Sequence, residues 1–109
     1  VGLISHVLDI AIVNGIRYSE DAIQIDLQQT SNGTTIIIDD NGRGYPEERL
    51  AHFSEIIKGK DFSGLTNQML AWYYCYLVAN MHKNREQQGW VRLSNESALG
   101  GSRFEIFLP

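Results

Sequence analysis

The sequence is short of the residues that mark a disulfide-built, metal-clustered or nucleic-acid-binding domain. It has one cysteine, Cys75, so no internal disulfide and no thiolate metal cluster can form. Its two prolines, Pro46 and Pro109, leave long stretches free to build regular structure. Basic residues are not in excess: nine Lys and Arg face thirteen Asp and Glu, for a net charge of -4. That balance argues against nucleic acid or an anionic lipid surface as the main partner. The longest nearly apolar run, Met69 to Ala79, is about half of the ~20 residues that a membrane-spanning helix needs. No basic leader precedes an apolar segment. The chain opens at Val1 inside an apolar periodic stretch, as expected of a piece of a larger intracellular polypeptide. What is present is ordinary: 43% hydrophobic, 10% aromatic and 20% charged residues over 109 positions. This excludes disordered, collagenous and coiled-coil chains and provides for one core.

Periodicity divides the chain into elements. Ile4, Val7, Leu8, Ala11, Ile12 and Gly15 recur at helical spacing and predict a first helix from Leu3 to Tyr18. A second stripe, Leu3, Val7 and Ile10, turns polar at Asn14, Arg17 and Tyr18. From Ala22 the period becomes two, with Ile23, Ile25 and Leu27 alternating with Gln24, Asp26 and Gln28. Ser31-Asn32-Gly33 marks a turn and Thr34 to Asp39 is rich in β-branched residues, so the pair reads as an antiparallel hairpin. Asp40-Asn41-Gly42-Arg43-Gly44 then breaks regular structure.

Pro46 opens a second helix, with Glu47 and Glu48 near the positive end of its dipole and a stripe of Leu50, Phe53 and Ile57. After a polar loop, Thr66 or Asn67 caps a third helix reaching about His82. Its inward stripe is expected to be Leu70, Tyr73, Tyr74, Leu77, Val78 and Met81, although Trp72, Cys75 and Tyr76 make it apolar almost all round. Lys83 to Gln88 reads as a solvated connection, and Trp90 to Ser94 and Arg103 to Leu108 as two further strands. The order α-β-β-α-α-β-β predicts an α+β two-layer sandwich, a mainly antiparallel sheet covered on one face by about three helices. A single domain is expected over 1–109.

Two segments carry chemistry. Asn14-Gly15-Ile16-Arg17-Tyr18-Ser19 ends the first helix, and Asp40-Asn41-Gly42-Arg43-Gly44-Tyr45-Pro46 follows a strand. Glycines two apart permit positive φ and close backbone approach, useful where a loop lies against a flat ligand. An aspartate just before them is placed to accept a hydrogen bond from a ligand amine. In isolation a D-x-G-x-G run is more often a structural turn. Together the two segments resemble the N-box and the first glycine box of the GHKL ATPase superfamily, closest to sensor histidine kinases. Gly101-Ser102-Arg103-Phe104-Glu105-Ile106-Phe107-Leu108-Pro109 is similar to the closing strand of those domains. The resemblance covers nearly the whole chain in order, with the family's first strand falling before Val1, and it implies the Bergerat type of sandwich.

The resemblance also implies roles. Asn14 matches the asparagine that holds the Mg²⁺ bridging the phosphates of ATP, and a neutral oxygen ligand suits that ion. Arg17 matches the basic position facing the phosphates, and Tyr18 the aromatic beside the nucleotide. Asp40 matches the carboxylate that reads the adenine amino group. Gly42 and Gly44 let the loop pass the base, and Tyr45 takes the usual aliphatic position below it. Leu70 falls within the stretch Met69-Leu70-Ala71-Trp72 that aligns with the second glycine box, and is expected to touch nucleotide. Lys58 and Lys60 lie in the short lid.

Two departures stand out. Where the hydrolysing relatives carry a glutamate base, four residues before the magnesium asparagine, this chain has Ile10, which cannot activate water. Both second-box glycines are replaced, by Met69 and Ala71, at a helix N-terminus where glycines let phosphate approach. The reading is the ATP-binding catalytic domain of a cytoplasmic histidine kinase. It implies a γ-phosphate presented to a histidine on a separate dimerisation domain, a homodimeric parent, with or without a membrane anchor, and a response regulator downstream. A degenerate, non-catalytic kinase-like module is the alternative. A serine kinase of the anti-sigma type is the third reading.

Overall fold

A computed structural model of the chain describes residues 2–59, 63–84 and 86–109. Helix α1 (Gly2–Tyr18) leads into the hairpin β1 (Ile23–Thr30) and β2 (Gly33–Asp40). Helices α2 (Glu47–Ile57) and α3 (Asn67–Met81) follow, then two short strands, β3 (Lys83–Asn84) and β4 (Gln87–Gln88), and finally β5 (Trp90–Ser94) and β6 (Arg103–Leu108). The main sheet runs β1-β2-β6-β5, with every neighbouring pair antiparallel. This is the expected α+β arrangement, with three helices and a four-stranded sheet. Lys83 to Gln88, expected as a plain connection, instead pairs Lys83 with Gln88 and Asn84 with Gln87 in a solvent-exposed ribbon. Among the described residues no helix is long and apolar enough to cross a membrane.

Alternation along the strands decides which side chains meet the helices. Ile36 pairs with Ile106, which also faces Val91, and Ile38 pairs with Phe104. These residues pack with Val7 and Ala11 of α1 and with Cys75, Val78 and Ala79 of α3 into the main core. The other face is polar and aromatic. Arg103 grips Asp39 through two hydrogen bonds of 2.8 and 3.0 Å. Trp90 stacks on Phe107, and the Arg92 guanidinium lies 4.9 Å from the Trp90 ring centre.

α3 is rotated from the expected stripe. Met69, Trp72, Cys75, Val78 and Ala79 are buried, whereas Leu70, Leu77 and Met81 are exposed. Because large apolar residues occur around its whole circumference, periodicity does not select a face. The helix settles on the face that carries the small Cys75 and Ala79, where its backbone lies close to Gly89. Thr66 caps it by accepting the Met69 N–H (3.2 Å), and the His82 ring closes it on the Val78 carbonyl (2.9 Å).

A second core lies to one side of the first, touching the sheet through Leu93. Phe53 and Ile56 of α2 meet Met69 and Trp72 of α3, together with Tyr45 from the loop after β2. α2 therefore rests on α3 and on that loop.

Ile106 is fully buried, so Ile106→Ala is expected to lower the free energy of unfolding by about 2–5 kcal/mol. Ile25→Ala, at a residue 53% exposed, should cost less than about 1 kcal/mol, both read by urea denaturation. Burial pushes the Cys75 thiol up to about 12, against ~8.5 in an unfolded chain. The folded chain thus holds that proton more tightly, and the associated stability is intact below ~8.5 and lost as pH rises towards 12. The expected result is a urea midpoint that falls over that range less steeply in Cys75→Ala than in the unsubstituted chain.

Candidate functional site around Asp40 and the end of α1

Asp40 ends β2 and is only 3% exposed. Its Oδ1 accepts the N–H groups of Gly42 (2.9 Å) and Ser102 (3.0 Å), and its Oδ2 accepts the Ser102 hydroxyl. The Asp40 N–H donates to the Ser102 carbonyl (3.0 Å), while the Asp40 carbonyl accepts from Gly101 N–H (3.0 Å) and the Ser97 hydroxyl (2.7 Å). Strand end, glycine loop and the start of β6 are thereby held as one unit. A buried carboxylate is tolerable only when its lone pairs are occupied in this way.

The loop after Asp40 is held from both sides. Asn41 Oδ1 accepts three successive N–H groups, those of Glu20, Asp21 and Ala22, at 3.0–3.1 Å. Its Nδ2 donates to Asp21 Oδ1 at 2.5 Å. Gly42 lies so close to the Tyr18 carbonyl that any Cβ would overlap it, and Gly44 adopts φ +86° beside Asn95. Asn95 clamps the next residue, accepting the Tyr45 N–H (2.7 Å) and donating to the Tyr45 carbonyl (2.9 Å).

Facing this loop is the end of α1. The Tyr18 hydroxyl is a junction of three helices: Arg49 Nη1 donates to it (3.3 Å) and to Gln68 Oε1 (2.8 Å), and Gln68 Nε2 donates to Tyr18 in turn. A cavity of about 580 Å³ opens between α1 and the loop, bordered by Arg17, Tyr18, Gly42, Arg43, Gly44 and Arg49. Three guanidinium-bearing residues thus share one cavity, with Glu20 the one acid among the described residues that border it, in a chain of net charge -4. A neighbouring cavity of about 310 Å³ is bordered by Ile10, Asn14, Arg17, Gln68 and Ala71. Asn14 is buried and its Nδ2 has no hydrogen-bond partner. A buried polar group without a partner is rare and calls for an explanation.

Of the residues singled out in the sequence, Asn14, Arg17, Tyr18, Gly42 and Gly44 border these two cavities. Asp40 lies behind the loop, and Tyr45 is buried in the second core. Leu70 is not brought to the group: it is 48% exposed and borders neither cavity, because the rotation of α3 that buries Met69 turns it outward. Lys58 is exposed, and Lys60 falls outside the described residues. Arg49, Gln68, Asn95 and Ser102 were not anticipated. Arg49 did leave a signal, since a cation in the first turn of a helix opposes the dipole and calls for a reason. Asn95 and Gln68 left none.

Comparison with known proteins gives the family. Residues 2–109 match the family described as histidine kinase-, DNA gyrase B-, and HSP90-like ATPase. Over 107 residues the chain is 31% identical to the sensor histidine kinase CpxA of Escherichia coli (strain K12), and equally to the sensor protein CpxA of Escherichia coli O157:H7. Each match covers 94% of this chain and 22% of the relative. In fold, the chain resembles the Acinetobacter baumannii histidine kinase AdeS with a TM-score of 0.62 at 24% identity, over 97% of this chain and 45% of that one. The chain belongs to the histidine kinase-, DNA gyrase B- and HSP90-like ATPase family. It spans about a fifth of the length of the curated relatives it matches.

Removing the side chain of Asn41 leaves three backbone donors between α1 and β1 without their acceptor. Asn41→Ala is expected to destabilise the chain by about 1–3 kcal/mol in urea denaturation. Amide exchange should accelerate first at Glu20, Asp21 and Ala22.

Proposed function

We propose that the chain is the ATP-binding catalytic domain of a sensor histidine kinase, taking Mg·ATP in the cavities at the end of α1. The observation that carries this reading is the gathering of Arg17, Arg43 and Arg49 around one cavity of an acidic chain, with Arg43 on the glycine loop anchored on Asp40 and the other two facing it. Arg17 and its neighbours would hold phosphate oxygens, Tyr18 would stand beside the nucleotide, and Asp40 would read the adenine amino group. Gly42 and Gly44 would give the loop its close approach.

The donor set suits a magnesium ion. Among the described residues no group of three His, Cys, Asp or Glu is placed to hold a metal, so the ion would take most of its ligands from phosphate and water, with Asn14 as the protein ligand. The orphaned amide of Asn14 fits that role, since its oxygen and nitrogen exchange places by a simple flip. When bound, Mg²⁺ supplies charge neutralisation on the phosphates.

The chain's own contribution is positioning, which is most of what phosphoryl transfer requires. The γ-phosphate would be presented to a histidine on a separate dimerisation domain of a homodimeric parent, with a response regulator downstream. The domain itself would lie in the cytoplasm, and alone it would not autophosphorylate. Ile10, at the wall of the smaller cavity, offers no group to activate water. A second reading, a non-catalytic kinase-like module, is favoured by one observation: Met69 is packed into the second core where the family has a glycine.

Calorimetric titration with ADP and a non-hydrolysable ATP analogue, with and without Mg²⁺, tests the proposal. Saturable heat is expected, weakened at least about ten-fold (~1.4 kcal/mol) by Asp40→Asn. Magnesium dependence should disappear in Asn14→Ala. No heat at millimolar nucleotide would overturn the reading. Nucleotide binding without phosphohistidine formation by the full-length protein would favour the non-catalytic module.

A further inference from the structure

The cavity beside the glycine loop stops short of the carboxylate that a base would have to reach. Gly42 and Gly44 border it, but Asp40, Ser102 and Tyr45 do not. Asp40 is almost fully buried, and both its carboxylate oxygens are engaged internally, with Gly42 and Ser102. The residue in the way is Tyr45. It is 6% exposed, and its ring meets Trp72 edge-on at 5.0 Å and Tyr18 at 5.7 Å. Its hydroxyl lies within the influence of Ser102 and Asp40, and burial pushes the phenol above its ordinary range, so it stays neutral. An aliphatic side chain would lack both the outer half of the ring and that hydroxyl.

The main chain of Tyr45 cannot move aside easily, because Asn95 holds both its N–H and its carbonyl. The side chain can move, by rotation about its own bonds. The present packing also leaves a polar atom unsatisfied: the Nε1 of the fully buried Trp72 has no hydrogen-bond partner. An unsatisfied buried donor destabilises the packing that encloses it.

We propose that Tyr45 is a plug for the base pocket. Its ring and hydroxyl occupy the space against Asp40 and Ser102, so a purine reaches Asp40 only when the ring swings out of the second core. The inference deepens the nucleotide reading of the site and rests on it. It makes Tyr45 the residue that sets ligand size and apparent affinity, since affinity is reduced by the fraction of molecules with the ring out. A ring that is out in about one molecule in ten costs about ten-fold in apparent affinity.

Two measurements on the chain and its Tyr45→Val and Tyr45→Phe variants test this, with thermal melting of each confirming that it is folded. In the first, Mg·ADP is titrated calorimetrically. Affinity is expected to rise at least about ten-fold in Tyr45→Val and less in Tyr45→Phe, which keeps the ring. The gain should vanish in Tyr45→Val combined with Asp40→Asn. In the second, without ligand, carboxylates are labelled with a water-soluble carbodiimide and an amine and located by mass spectrometry. Asp40 should label several-fold faster in Tyr45→Val, against an unchanged rate at Asp26 on exposed β1.

Unchanged labelling of Asp40 would overturn the plug whatever nucleotide does. So would faster labelling with Mg·ADP bound no more tightly by the valine variant than by the original chain. Faster labelling with no Mg·ADP binding by any of the three proteins would refute the nucleotide reading, while the occlusion of Asp40 by Tyr45 would stand.

Discussion

Every polar atom of Asp40 is committed: the N–H to Ser102, the carbonyl to Gly101 and Ser97, and the carboxylate to Gly42 and Ser102. Hydrogen bonds to a carboxylate are stronger than those between neutral groups, and here they come from the glycine loop and the start of β6, while Ser97 and Gly101 hold the backbone carbonyl. β2 and β6 already pair through Ile36 and Ile106. The Asp40 knot extends that pairing beyond the last ladder position and fixes where the glycine loop leaves the sheet. The loop then has one path, under the Tyr18 carbonyl and past Asn95, and that path forms the wall of the larger cavity.

The opposite wall is fixed by different means. Arg49 and Gln68 converge on the Tyr18 hydroxyl from α2 and α3, so three helices meet at one polar point. Such a junction sets relative position more firmly than apolar contact does, because each bond has a preferred direction and length. It also places the Arg49 guanidinium at the border of the cavity. The site is thus bounded by a hydrogen-bonded loop on one side and a hydrogen-bonded helix junction on the other.

Much of this was legible in the sequence, and what was not has a physical cause. The hairpin and the two closing strands follow from alternation, because each strand buries one face and register is then strongly specified. Asn14, Arg17, Tyr18, Gly42 and Gly44 are adjacent within two short segments, so their juxtaposition needed only that the segments meet. The face of α3 was not legible. With apolar residues on all sides its orientation is chosen by the close fit of Cys75 and Ala79, a property of the partner surface and not of the helix. For the same reason Leu70 was expected at the site and is found in solvent. The Tyr18 junction joins residues 31 and 50 positions apart, and single-sequence reasoning has no means of pairing them. Tyr45 was placed beside the base by analogy with an aliphatic residue, and its size and hydroxyl gave it a second home in the core.

The two cores have a consequence for how the molecule comes apart. The main core is braced by the sheet on a whole face, while Phe53, Ile56, Met69, Trp72 and Tyr45 are braced mainly by helices and a loop, with Leu93 their contact to the sheet. Cooperative units of a fold open at different free energies, and the one with fewer supports opens first. α2 is therefore the element able to breathe while the sheet, and the glycine loop tied to it through Asp40, stay intact. The candidate site lies along the seam between these units, so occupancy of the cavity and the temperature at which the sheet melts become separately tunable quantities.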